Sequence, residues 1–227
     1  MRIAGWSGIL FVVLSGAVLV LAPFWPPVGA SAESIVAFYA AHRSAFLFGN
    51  ALAIAAAIPS FAQIAVLAML IKRAEGPDGW RWLAVLAAAI VAHGVGAVAL
   101  VAYQAVPFEL GEGQLAIAKG LSDFGGLAFA ATLLAMGGFA ALTSWANSAT
   151  RVLPGWVGAY GVIAAVVCVV CGGIGLMVSS VPLLAGGGLV ECGALGLFCG
   201  WCLAISAVFL QRKNASSFSF TTAGASA

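Results

Sequence analysis

Six apolar runs, at about residues 4–24, 45–71, 82–105, 121–146, 155–179 and 189–210, leave this chain almost no way to fold in water. Each matches or exceeds the roughly 20 residues that an α-helix needs to cross a hydrocarbon core of about 30 Å. Hydrocarbon offers backbone groups no hydrogen-bond partner, so runs of this length must satisfy themselves as helices. The expected fold is therefore all-α, a polytopic bundle of six transmembrane helices. Composition agrees, with 63% hydrophobic residues, 7% charged residues and a mean hydropathy of +1.14. Those values lie far outside the range of soluble domains.

The few cations orient the bundle. With the N-terminus inside, Arg2, Lys72, Arg73, Arg81, Arg151, Arg212 and Lys213 are cytoplasmic, and only Arg43 and Lys119 lie outside. That is the distribution the positive-inside rule requires. The first run is read as a retained helix, because Leu21-Ala22-Pro23-Phe24-Trp25 offers no small-residue cleavage site. Residues 1–213 then form a single transmembrane domain. The stretch 214–227, rich in Ser, Thr and Ala, is expected to be a disordered cytoplasmic tail.

Trp25-Pro26-Pro27 cannot continue a helix, whereas Ser31 can cap a new one with Glu33 in its first turn. The spacing of Ile35, Phe38 and Tyr39 gives that segment one apolar face. It is expected to be a short extracytoplasmic interfacial helix running to His42 and bending into the second span. Pro59 should kink that span near Gln63, where a polar partner is expected. Gly155, Gly158 and Gly161, like Gly193, Gly196 and Gly200, recur at helical spacing and are read as packing faces.

Two stretches, Ser34-Ile-Val-Ala-Phe-Tyr-Ala-Ala-His-Arg43 and Arg151-Val-Leu-Pro-Gly-Trp-Val-Gly158, give the chain a family likeness. It resembles small six-helix membrane proteins of high-GC bacteria grouped as a domain of unknown function, of the DUF4386 kind. The resemblance implies a multi-pass fold in the bacterial inner membrane. It brings no catalytic residue with it.

Ionisable groups in hydrocarbon are costly, and they mark function when present. His93 falls near the middle of the third span, Asp123 near the outer end of the fourth and Glu191 at the outer end of the sixth. The two acids join Tyr39, His42, Arg43, Asn50, Tyr103, Gln104, Glu109 and Lys119 in a belt across the outer third. A polar pocket facing the outer leaflet would follow, with Asp123, Glu191 and His93 as proton-handling groups. Tyr39, His42, Asn50, Tyr103, Gln104 and Trp201 would be its binding residues. Asp123 and Glu191 also sit at helix N-termini, where backbone N–H groups and the helix dipole favour a carboxylate without any chemistry.

Cys168-Val-Val-Cys171 and Cys199-Gly-Trp-Cys202 occupy neighbouring antiparallel helices at similar depth. Residues at i and i+3 share a face, so the four sulfurs would make a zinc or copper(I) site if the two faces met. Apolar burial and the lack of a nearby cation weigh against reactive thiolates. No bound cofactor is therefore the leading expectation, with zinc or copper as the alternative.

No phosphate loop, metalloprotease helix, nucleophile elbow or basic stripe is present, which sets aside nucleotide hydrolysis and nucleic-acid partners. Three readings remain. The chain binds or carries, with proton coupling, a small apolar or amphipathic molecule. Alternatively it is a membrane-embedded enzyme of the terpene-cyclase kind, with Asp123 and Glu191 as acid and partner and Phe124, Phe198, Trp201 and Tyr103 as walls. Or it is an accessory subunit without chemistry. Membrane lipids and a small lipophilic molecule are the expected partners, with a homodimer or a partner membrane protein as further possibilities.

Overall fold

The computed structural model describes residues 1–21, 25–177 and 188–212. Six helices follow one another, and no strand occurs among the described residues: α1 (Arg2–Leu21), α2 (Ala32–Glu75), α3 (Arg81–Gly111), α4 (Leu115–Thr150), α5 (Gly155–Met177) and α6 (Leu189–Gln211). Helices α2 to α6 are each long and apolar enough to cross a membrane, while α1 is a shorter apolar helix over Arg2–Val18. The expected all-α multi-pass bundle is thus the observed one. The tail expected from residue 214 lies outside the described residues.

The segment from Ser31 starts as the sequence predicts. The Ser31 hydroxyl accepts from the Ser34 N–H at 3.3 Å, and Glu33 stands in the first turn. It does not form a helix of its own, because α2 continues unbroken through His42 and through Pro59 to Glu75. Arg43 and Asn50 lower the local hydropathy without breaking the helix, so the apolar run marks depth and not a helix end. At 1.5 Å per residue α2 is about 66 Å long, against about 30 Å of hydrocarbon. Helices α3 and α4 are also longer than a single crossing requires.

Each helix packs on its neighbours in the chain, and α1 closes the circle onto α6. Helix α4 also reaches across to α2 and α6. Near the closure, the Gln63 amide donates to the Cys202 carbonyl at 3.0 Å and to the Ser206 hydroxyl at 2.8 Å. Gly8 of α1 is packed against both Gln63 and Ser206. The polar partner expected for Gln63 is therefore α6, and three helices are pinched together there. Gln63→Leu removes two buried hydrogen bonds and should lower stability by about 1–3 kcal/mol. A drop in thermal midpoint in detergent reads this loss, and Gln211→Leu, at an exposed helix end, should leave the midpoint unchanged.

Five of the tryptophans gather at the cation-rich end. Trp80 packs on Trp145, Lys72 lies 4.7 Å from the Trp82 ring, and Arg81 lies 5.0 Å from the Trp145 ring. Trp6 and Trp156 are exposed close to the same ends of α1 and α5. Amphipathic rings beside cations are what a membrane–water interface selects. The α2–α3 turn at this end is closed by an ion pair, Arg81 to Glu75 at 2.9 Å.

Candidate binding cavity

A cavity of about 200 Å³ lies along the axis of the ring, walled by α1, α2, α3, α4 and α6. Helix α5 contributes nothing to it. Five aromatic side chains line it: Phe11, Trp25, Phe129, Phe139 and Phe198. Small residues on α2 and α3, Ala53, Ala57, Ala92, Gly96 and Ala97, make the room. The polar lining is sparse, consisting of Ser15, His93, Thr132 and Cys192. Thr132 spends its hydroxyl proton on the Ala128 carbonyl at 2.8 Å, so it offers the cavity only an acceptor.

His93 is held from both sides. Its Nδ1 is 2.8 Å from the Ala89 carbonyl and its Nε2 2.6 Å from the Ser60 hydroxyl, while Phe61 stacks on the ring at 4.8 Å. A carbonyl can only accept, so Nδ1 carries a proton. In the neutral ring, Nε2 then accepts from Ser60. Ser60 also lies 2.6 Å from the Ala57 carbonyl, giving its single proton a second acceptor. When the ring gains a proton, Nε2–H donates to Ser60 and the Ser60 proton turns to Ala57. The triad accommodates both charge states without moving a heavy atom.

At the end of the cavity remote from the cation-rich turns, the outward end under the expected orientation, Trp25 forms a roof. Its ring stacks on Tyr103 at 4.5 Å and meets Phe129 and Phe46 edge-on at 5.1 and 6.4 Å. The loop carrying Trp25 is tied down by Asp123, whose Oδ1 accepts from the Gly29 N–H at 2.7 Å. The other oxygen of Asp123 pairs with Lys119 at 2.7 Å. Asp123 therefore works as a latch, one oxygen on the loop and one on its own helix. Asp123→Asn should keep the loop in place through the amide oxygen, whereas Asp123→Ala should free it. Protease nicking near Gly29 checks this, with faster cleavage expected for the alanine variant alone.

The remaining outer-belt residues divide between two environments. Tyr39, Asn50 and Tyr103 are buried to within 2% of full occlusion. Among the described residues, neither tyrosine hydroxyl nor either end of the Asn50 amide has a hydrogen-bond partner. Glu191 is fully buried in the first turn of α6, and Tyr103 is within electrostatic reach of Tyr39, Asp123 and Glu191. Asn50 stands one turn outward of Ala53, and Tyr103 one turn outward of Leu100, both cavity residues. The polar groups thus cap the apolar space. Gln104 is half-buried beside them, and His42 packs on Phe38 at 5.1 Å near the outer end of α2.

Trp201 does not join this group. Its Nε1–H donates to the Val157 carbonyl at 3.1 Å near the opposite end of the bundle, and its ring packs on Phe139 and Phe198. Phe124 is exposed on the outer surface of α4. The walls expected around an acid at Asp123 are therefore scattered. None of the cysteines forms a disulfide among the described residues. Cys168, Cys199 and Cys202 lie within electrostatic reach of one another, and Cys171 within reach of both Cys168 and Glu191. No three metal-binding side chains come together among the described residues.

The chain matches no family model, no curated protein and no solved structure.

Proposed function

We propose that this is a multi-pass protein of the bacterial inner membrane, with both termini cytoplasmic, that binds a small apolar or amphipathic molecule in the axial cavity. The observation that carries the reading is the lining itself: five aromatic rings and a handful of small residues around about 200 Å³, with few polar groups. A cavity of about 150 Å³ lined by aliphatic and aromatic groups stays dry and takes up benzene. This one has room for a ring with a short substituent or a bent stretch of acyl chain. The buried hydroxyl of Tyr103 and the Asn50 amide, one turn beyond the lining residues Leu100 and Ala53, suit the polar head of an amphipathic ligand.

Proton-coupled transport rests on His93, which faces the cavity and whose partners suit both charge states. Orientation rests on the seven cations at one end against two at the other and on the tryptophans beside them. Among the described residues no carboxylate lines the cavity, so binding or passage is favoured over acid-initiated chemistry. Native mass spectrometry from mild detergent tests the reading. A retained small apolar mass, lost in a variant with a filled cavity, supports it. A bare chain mass at the gentlest activation would count against it.

A further inference from the structure

Resting on the binding reading above, we infer that the cavity opens sideways between α2 and α3 into the hydrocarbon, so that its ligand is a neutral molecule dissolved in the bilayer. Two lining residues are themselves on the outer surface. Ile54 of α2 is 39% exposed and Ala97 of α3 is exposed, yet both line the cavity. They mark a mouth between the two helices. Helices α2 and α3 pack on each other far less extensively than α3 does on α4. Small side chains on both sides, Ala53 and Ala57 against Gly96 and Ala97, leave that seam open.

The surface around the mouth is lipid-like. Ile58 is 74% exposed, and Ile90, Val98 and Val101 are exposed beside it on the same two helices. On the inner side of the mouth, Phe61 stacked on His93 forms a sill. Farther in, the Gln63–Ser206–Gly8 pinch joins α1, α2 and α6 and leaves no side-chain gap there. At the outer end, Trp25 covers the cavity and Asp123 holds its loop. A charged or strongly hydrated ligand would have to shed its water on an apolar sill, which excludes a charge far more strongly than a neutral group. A neutral ring or chain already in the bilayer meets no such barrier.

The test uses m-iodophenyl trifluoromethyl diazirine, an apolar photoprobe that dissolves in bilayers, with the full chain in nanodiscs and peptide mass spectrometry as readout. Met136 and Phe139, buried on the α4 wall, should be labelled in the wild type. Ala97→Trp and Ile54→Trp should each reduce that interior labelling to background, while Ile58 on the lipid surface stays labelled as a control for folding and probe access. Interior labelling unchanged in both variants would overturn the side mouth and leave the cavity standing. Equal interior labelling by a charged, water-soluble diazirine would overturn it too. No interior labelling in the wild type would remove the cavity reading along with the mouth.

Discussion

Gly172→Leu is expected to yield no folded protein from detergent, whereas Gly155→Leu is expected to behave as wild type. A Cβ at Gly172 would fall 2.6 Å from the Ala130 carbonyl oxygen and 2.9 Å from the Leu134 nitrogen. Those are backbone atoms of α4, so no rotamer change can relieve the overlap. Helices α4 and α5 would have to separate, and with them the packing of Gly137 against Val169 and Ala165. The penalty should exceed the roughly 1–3 kcal/mol of ordinary overpacking. At Gly155 nothing lies within 4 Å of the added carbon, and a surface change of this kind usually costs within about 0.5 kcal/mol. Size-exclusion profiles and thermal midpoints of the two variants read the contrast.

The second large effect is on binding. Ala57 is half-buried, and its side chain lines the cavity. Ala57→Phe places a benzene ring where the ligand would sit, and a ring of that size takes up most of a cavity that a benzene-sized guest nearly fills. Affinity for an apolar ligand should fall by at least about tenfold, or about 1.4 kcal/mol, with the thermal midpoint of the ligand-free protein unchanged or raised. Trp25→Ala acts from the other end. It removes the roof and its stacking on Tyr103, so ligand release should quicken while access from the side remains. Competition with an alkyl-chain fluorophore, measured at equilibrium and after dilution, separates the two variants.

Hydropathy made the spans legible, because each crossing must bury an apolar length set by the bilayer. It reported depth and not helix ends. The second apolar run starts only at about residue 45, past Arg43, whereas α2 itself begins well before that at Ala32. Glycine spacing pointed at the right helices and at some of the right positions. Gly158, Gly161 and Gly200 sit in close contacts, Gly155, Gly193 and Gly196 face open space, and Gly172, which no spacing marked, meets the backbone of α4. Which face of a helix meets another depends on the partner's backbone, and no spacing within one helix encodes that.

The polar residues were legible as a set but not in their roles. The depth of His93 singled it out, yet its partner Ser60 sits 33 residues away. Asp123 looked like a helix-terminal acid or a proton donor, and its contact with Gly29 spans 94 residues. The cavity had no signal at all, since alanines, phenylalanines and leucines contributed by five helices look like core until the helices are arranged in a ring. Even the two cysteine pairs, correctly placed on neighbouring helices, depended on how those helices are turned against each other, and among the described residues they form no group of three placed to hold a metal ion.

The most direct measurement is an experimental density map of the protein in nanodiscs, held by a rigid antibody fragment and inspected between Phe129, Phe139 and Phe198. The account predicts continuous apolar density filling that space, with a polar end toward Tyr103 and Asn50, and its absence in Ala57→Phe. A cavity collapsed by side-chain packing, or one filled with separated peaks of ordered water, would contradict it.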